Sequence, residues 1–110
     1  MAEPKQEVFD EKLERLADIA KALSHPARLK ILQLLWEADT CVCGEIVESL
    51  PLAQPTVSQH LNELKRVGLI TATRDQPKTY YCLNREVINE VMAAWSQFLA
   101  SVFIGGKKSI

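Results

Sequence analysis

The chain has 110 residues, 47% of them apolar, and a formal net charge of −1 at neutral pH. This length favours a single domain over residues 1–110 with a modest core. The apolar runs are too short to cross a bilayer and the first residues lack the features of a signal peptide, so a cytoplasmic protein without membrane contact is expected. Three cysteines, an odd number, argue against a disulfide framework and leave metal binding, redox chemistry or packing.

Two helices are predicted in the first third of the chain. Apolar residues recur at helical spacing over residues 13–23, which predicts the first helix. Ser24 is the expected N-cap of the second helix and Pro26 a residue of its first turn. Residues 29–36 are apolar around much of the helix circumference, as expected for the centre of a small domain. His25 has no histidine near it in the sequence, which favours a structural or phosphate-side role over metal binding.

The next part of the chain has the pattern of a helix-turn-helix. A short apolar-periodic segment at residues 42–50 is followed by a break at residues 51–54. A second helix then begins near Pro55, which suits a first turn, and Gly68 is its expected C-cap. In a helix-turn-helix the second helix lies in the major groove of DNA.

The second helix has one apolar face and polar side chains elsewhere. The apolar face consists of Val57, Leu61, Leu64 and Val67, and the polar residues are Thr56, Ser58, Gln59 and Asn62. Hydroxyls and amides at the start of this helix can reach base edges and phosphates, so double-stranded DNA is the predicted partner.

A β-hairpin is predicted after the helix-turn-helix. Residues 69–73 and 79–83 are rich in β-branched and aromatic residues, and a polar loop joins them. Directly after a recognition-type helix this pattern favours a wing, with Arg74 and Lys78 near its tip to contact sugar and phosphate. An ordinary hairpin with a solvated, charged loop is the alternative.

The last predicted helix, over residues 85–103, carries more large apolar residues than one small core can bury. They are Val87, Ile88, Val91, Met92, Trp95, Phe98, Leu99, Val102 and Phe103. This surplus predicts a partner subunit, with the first helix as the second contributor to a two-fold interface. The predicted fold is therefore mainly α with a β-hairpin wing, a homodimeric winged helix-turn-helix of about five helices and two strands.

The net charge is unusual for a DNA-binding protein, which normally has a basic excess. Its distribution is more favourable, because acidic residues such as Glu3 and Glu7 collect near the N-terminus. The recognition helix and wing are mildly basic through Lys65, Arg66, Arg74 and Lys78. Weaker non-specific DNA affinity than that of a basic protein is expected.

These features together resemble the ArsR/SmtB family of bacterial winged-helix repressors. The matching segments follow the family's order over most of the domain and are residues 23–32 (LSHPARLKIL), 41–43 (CVC), 56–61 (TVSQHL) and 68–70 (GLI). The resemblance implies a homodimer that binds a palindromic operator and leaves it when an inducer binds. The family's base and phosphate contacts would fall on Gln54, Thr56, Ser58, Gln59 and His60, with Arg74 and Lys78 in the wing.

Cys41 and Cys43 are the predicted ligands of the inducer. Thiolates prefer soft or thiophilic ions, which favours trivalent arsenic or antimony and also admits cadmium, lead and zinc. The two cysteines are expected to open the first helix of the helix-turn-helix, where free N–H groups lower a thiol pKa. Side chains at i and i+2 of a helix point about 200° apart, so binding one ion would distort the first turn beside Gly44 and shift the recognition helix. No constitutive cofactor is expected.

The chain departs from the family's arsenic and cadmium sensors after the Cys-Val-Cys run. Those sensors often have Asp next and sometimes a third Cys, whereas this chain has Gly44 and Ile46. A third ligand would have to come from a solvent thiol, a partner chain or Cys82. Cys82 is expected to be a small buried strand residue instead, so its replacement should matter little. Residues 85–103 contain no histidine, which argues against the family's other metal site, made from His and acidic residues.

Other functions use the same residues. A lowered thiol pKa also suits a redox or persulfide switch at Cys41 and Cys43. A winged helix used only for protein contacts, without an inducer, is a further alternative, but it would favour apolar residues where the second helix is polar. Catalysis is not expected, because both histidines of the chain belong to other motifs.

Overall fold

The structure, a computed structural model, describes residues 9–38, 40–47 and 50–104. Within these ranges the elements are α1 (Glu11–Ala22), α2 (Pro26–Ala38), β1 (Val42–Cys43), α3 (Gly44–Val47), α4 (Gln54–Arg66), β2 (Ile70–Asp75), β3 (Lys78–Leu83) and α5 (Arg85–Leu99). A π-helical turn over Ala100–Ile104 extends α5. The arrangement confirms the predicted winged helix-turn-helix, with the short strand β1 as an addition. Glu3 and Glu7 of the acidic flank lie outside the described residues.

The three strands form one antiparallel sheet in the order β1, β3, β2. The β2–β3 hairpin is the predicted wing, and its register runs from Ile70 opposite Leu83 to Asp75 opposite Lys78. β1 pairs with the other edge of β3, with Val42 opposite Tyr81. The prediction that a helix begins at the Cys-Val-Cys run is therefore wrong, because backbone pairing with β3 keeps this run extended and α3 begins only at Gly44.

The core lies between the helix-turn-helix and the first two helices. Its fully buried larger side chains are Ile19, Ile31, Leu35, Val47, Val57, Leu64, Val67 and Ile70. The predicted apolar face of α4 is thus confirmed. In α2 only Ile31 and Leu35 are buried, whereas Leu29 is 51% exposed and Trp36 is 61% exposed. Part of this helix's apolar surface is therefore left uncovered by its own chain.

Polar contacts fix α1 against the end of α4. The Arg15 guanidinium donates to the Val67 carbonyl at 2.9 Å. Arg66 donates to both carboxylate oxygens of Asp18, at 2.8 and 2.9 Å, and to Glu63. These hydrogen bonds lower the pKa of the Asp18 and Glu63 carboxyls. The charge of Arg66 is therefore neutralised by Asp18 and Glu63. Arg66 does not contribute to the basic surface that was predicted from the sequence.

The helix over Arg85–Ile104 has 20 residues and is long and apolar enough, by length and composition, to cross a membrane. This corrects the expectation that the apolar runs are too short. Val87, Ile88 and Val91 pack against the core from one side of the helix. None of the residues of α5 is buried in the single chain. An apolar composition of this kind is also expected of a helix whose remaining apolar side is covered by a second subunit.

Candidate nucleic-acid interface and thiol site

The N-terminal half of α4 presents the polar surface expected of a recognition helix. Gln54 and Gln59 are exposed, and Thr56 and Ser58 are half-buried. Ala53, the N-cap, makes no side-chain hydrogen bond, and the first turn of α4 contains no acidic residue. The positive end of the helix dipole therefore meets solvent without a competing carboxylate, which favours an approaching phosphate.

His60 does not belong to this surface. Its side chain is 6% exposed and points into the protein, so the prediction that it contacts DNA is wrong. The Arg28 guanidinium donates to His60 Nδ1 at 3.0 Å, which places the proton of the neutral ring on Nε2. The His25 ring packs against the His60 ring at a tilt of 48°, with 4.4 Å between centroids. His60 therefore anchors the recognition helix to the start of α2.

The two other partners in this contact organise the α1–α2 junction. His25 Nδ1 accepts the backbone N–H of Ala27 at 3.0 Å and so caps α2, a role that the sequence assigned to Ser24. The Ser24 hydroxyl instead donates to the Lys21 carbonyl. Arg28 donates to the Ala22 carbonyl at 2.6 Å, at the end of α1. The structural role expected for His25 is thus the one observed, and its partner is the distant His60.

Acid should destabilise the fold through His60. Burial lowers the pKa of His60 below 6.5, and the charges of His25 and Arg28 lower it further. Between pH 6.5 and the pKa of His60 in the folded chain, His60 is protonated in the unfolded chain and neutral in the folded chain. The free energy of unfolding therefore falls as the pH falls through this window. Urea unfolding from pH 8 to pH 5 should show this decline, and His60→Gln should flatten it. An equally steep decline in His60→Gln would assign the effect to other groups.

The wing carries the two predicted phosphate contacts on its surface. Arg74 and Lys78 are both exposed, near the turn that joins β2 to β3. The Lys78 ammonium lies 4.0 Å from a carboxylate oxygen of Glu45 on α3. This pair is long and solvated, so it leaves Lys78 available to a phosphate.

Two of the three cysteines are joined across the sheet. Cys41, just before β1, forms a disulfide with Cys82 of β3, and their Cα atoms are 4.4 Å apart. Cys43 is free and half-buried. The interpretation of Cys82 as a strand residue apart from the thiol site is therefore wrong. β1 pairs with the edge of β3 that β2 does not occupy. This pairing could not be predicted, because a strand of two residues is too short to give a sequence pattern.

The extended conformation also changes the relation between Cys41 and Cys43. Side chains two residues apart in a strand project from the same face of the sheet, rather than from opposite sides as in a helix. Within the described part of the chain, no group of three or more His, Cys, Asp or Glu side chains is arranged to hold a metal ion. The Cys41 sulfur is engaged with Cys82 in this form.

Residues 23–72 match the family described as a helix-turn-helix domain. A helix-turn-helix transcriptional regulator of Methanocaldococcus jannaschii is 40% identical over 83 residues, which cover 74% of this chain and 92% of that protein. The arsenical resistance operon repressor of Staphylococcus aureus is 35% identical over 77 residues, 70% of this chain and 73% of that repressor. The chain belongs to the ArsR family of winged helix-turn-helix repressors.

A solved structure shows the same fold as this ArsR-family chain. It is the homodimeric winged helix-turn-helix DNA-binding domain of a possible ArsR-family regulator from Mycobacterium bovis. The TM-score is 0.62 and the identity 24%, over 100% of this chain and 97% of that domain.

The ArsR-family chain has two exposed residues on α4 that the sequence prediction of DNA contacts omitted. Asn62 and Lys65 are both exposed. Asn62 follows Gln59 by three residues and Ser58 by four, so the three side chains share one side of the helix. Asn62 could have been included in the predicted DNA-binding surface, because its spacing from Ser58 and Gln59 places it on the same side of the helix.

Two apolar grooves border α5 in the ArsR-family chain. One, of about 580 Å³, runs between α5 and α2, and its lining includes Leu32, Trp36, Met92, Trp95 and Leu99. The other, of about 510 Å³, lies between α5 and α1 and includes Leu13, Leu16 and Phe98. α1 and α5 thus present apolar surface together, as the sequence predicted for an interface.

Proposed function

We propose that this ArsR-family protein is a homodimeric repressor that binds a palindromic operator and leaves it when a trivalent metalloid, arsenic or antimony, binds to its cysteine thiols. One observation carries the proposal. The Cys-Val-Cys run ends in β1, and the last residue of β1, Cys43, is followed directly by α3, the first helix of the helix-turn-helix. A ligand held by these thiols therefore acts on the element that supports the recognition helix. Regulation rather than catalysis is the proposed role, and its place is the cytoplasm.

The DNA contacts are proposed to come from α4 and the wing. Gln54, Ser58, Gln59 and Asn62 would read bases or contact phosphates, with Thr56 at the edge of the surface. Arg74 and Lys78 are exposed on a hairpin that directly follows α4, and each would neutralise a phosphate. His60 supports this surface from behind through Arg28 and His25.

The homodimer is proposed to form through α1 and α5. Exposed apolar residues on or next to these helices include Phe9, Leu13, Met92, Leu99, Val102 and Phe103. Large apolar side chains exposed together on neighbouring helices are typical of a protein–protein interface. The Mycobacterium bovis domain of the same fold is homodimeric. Two copies related by a two-fold axis would cover the surface and present two α4 helices to the two halves of a palindrome.

Trivalent arsenic is the favoured inducer because of thiol chemistry and relatives. Thiolates bind soft, thiophilic ions, and three cysteines lie on or beside one pair of strands. The Staphylococcus aureus relative is an arsenical resistance operon repressor. Cadmium, lead and zinc remain weaker candidates on the same chemistry.

One observation favours the alternative of a thiol redox or persulfide switch, namely the disulfide between Cys41 and Cys82. The Cα separation of 4.4 Å is close to the roughly 4.5 Å of directly opposite residues in an antiparallel pair. The disulfide therefore fits the register in which β1 pairs with β3. A chemical change that does not shift the backbone does not displace α4 from DNA. Oxidation is therefore ranked below metalloid binding as the event that releases the operator.

The operator surface is tested by Ser58→Ala and Gln59→Ala. Each should weaken operator binding by about 1 to 3 kcal/mol if the residue reads a base, and leave the fold intact. The measurement is fluorescence anisotropy on an operator obtained by selection, with circular dichroism for the fold. Asn89→Ala, a change at an exposed position of α5 outside both grooves, is a control for unrelated surface substitution. A double variant that binds like the wild type would refute the assignment of α4.

Lys78→Ala should behave differently from the two α4 variants. Because a lysine on a phosphate carries no sequence information, affinity should fall for operator and random DNA alike. The slope of log affinity against log salt should decrease by about 0.9 for one lost phosphate contact. An unchanged slope would place the wing away from the phosphates.

A further inference from the structure

The sheet brings all three cysteines of the described chain to one face. Cys43 is opposite Tyr80 and Val42 is opposite Tyr81 in the β1–β3 register, so the next residue pair is Cys41 opposite Cys82. Side chains alternate along each strand, and Val42 between the two cysteines is only 4% exposed. Since Val42 points into the core, Cys41, Cys43 and Cys82 project from the other face.

Cys41 and Cys82 are held together by the backbone. Their Cα separation of 4.4 Å is at the short end of the range over which two cysteines can be bridged. Cys43 is the diagonal neighbour of Cys82, and diagonal residues of an antiparallel pair are about 7–8 Å apart. A bond between Cys41 and Cys82 thus forms in place, whereas a ligand shared with Cys43 must draw that side chain inward.

We propose that Cys41, Cys43 and Cys82 together form a three-thiol site for a trivalent arsenical. The Cys41–Cys82 disulfide is the oxidised form of this site, and the oxidised form does not bind the arsenical. The inference rests on the proposed function and adds its third ligand and its redox state. In the reduced protein one molecule of arsenous acid, As(OH)3, reacts with the three thiols. Three As–S bonds form, the three As–OH groups are lost, and three water molecules leave with the thiol protons.

Oxidation removes two of the three ligands. A peroxide accepts two electrons from Cys41 and Cys82, the S–S bond forms as the O–O bond breaks, and the two thiol protons end in an alcohol and a water molecule. Only Cys43 then keeps a thiol. One thiolate cannot hold arsenic against water as three can, so the oxidised protein stays on its operator in the presence of arsenite.

The two events have different effects on the helix-turn-helix. The disulfide fits the strand register and leaves β1 where it is. Arsenic must pull Cys43 toward the other two sulfurs, and the residue after Cys43 is Gly44, where α3 begins. Glycine makes a change of backbone direction easy at this position. Ligand binding, and not oxidation, therefore moves the first helix of the helix-turn-helix.

Direct binding to the reduced protein tests the third ligand. Arsenite should protect three thiols of the wild type from a thiol reagent, and only two in Cys82→Ser, with at least tenfold weaker affinity. Phenylarsine oxide, which has two exchangeable positions, should protect two thiols in both proteins. Thr71→Ser is the matched control, because Thr71 is opposite Cys82 on β2 and exposed. Equal arsenite affinity in wild type and Cys82→Ser would overturn the inference, and unchanged operator affinity of the variant shows that it is folded.

The oxidised wild type tests the second half of the inference. After treatment with peroxide, peptide mass spectrometry should find Cys41 linked to Cys82, operator affinity should stay within twofold, and arsenite should not release the operator until a reductant is added. Arsenite release from the linked protein, or release by peroxide alone, would overturn the inference. Failure of the proposed function looks different, because the reduced wild type would then bind arsenite through three thiols and still remain on the operator.

Discussion

Leu99→Glu should convert the protein to a monomer and lower operator affinity about 100-fold or more, since a monomer engages only one half of a palindrome. Leu99 is 44% exposed in the single chain and lies in the groove between α5 and α2 together with Met92 and Trp95. Replacing Leu99 should change the stability of the isolated subunit little. In the dimer, however, the new carboxylate would be buried in an apolar interface and would lose its hydrating water. Light scattering at micromolar concentration and anisotropy on operator DNA measure the two effects.

A matched variant separates the interface from the helix itself. Asn89→Glu adds the same charge to α5 at another exposed position, outside the groove, and should leave both dimer and operator binding unchanged. Circular dichroism of Leu99→Glu should show a folded monomer, because the core residues beneath α5 are not altered. A wild type that scatters as a folded monomer, or a Leu99→Glu protein that remains dimeric, would contradict the proposed interface.

Cys41→Ser and Cys43→Ser should each keep operator binding and lose release by arsenite. Shifting a population from mostly bound to mostly free requires the ligand to favour the free state by about 5.5 kcal/mol. A serine hydroxyl is a hard donor and does not replace a thiolate on arsenic, so most of that difference disappears in each variant. Operator release is followed by anisotropy during titration with arsenite, antimonite, cadmium, lead and zinc under reducing conditions.

The double variant of Cys41 and Cys43 is the decisive case. If arsenite still releases it, the inducer acts at another place in the protein. Release of the wild type by cadmium but not by arsenite would keep the site and change the inducer.

Much of the fold could be predicted from the sequence because helical periodicity is a local signal. The apolar face of α4, through Val57, Leu61 and Leu64, was predicted from spacing alone, and all three residues are buried. Gly68 ends the region with φ of 86°, a conformation that favours glycine, in agreement with its predicted capping role. The wing followed from β-branched and aromatic runs around a polar loop. The surplus of apolar residues on α5 was likewise visible as composition.

The candidate site was harder to predict, because its geometry depends on contacts between distant segments. His60 looked like one more polar residue of the recognition helix. Only packing shows that it faces Arg28 and His25, more than 30 residues away in sequence, and so lies inside the protein. Arg66 similarly counted as a basic surface residue until Asp18 of α1 was found beside it.

The sequence by itself determined the order of the helices, the polar surface of α4, the wing and the family. The tertiary structure alone decided the neighbours of the thiols. Cys41 and Cys43 precede a helix in the sequence, and the two-residue strand Val42–Cys43 has no periodicity long enough to detect. The strand exists because β3 offers it an edge with unpaired backbone N–H and carbonyl groups. That pairing, over a sequence separation of 41 residues, places Cys82 against Cys41.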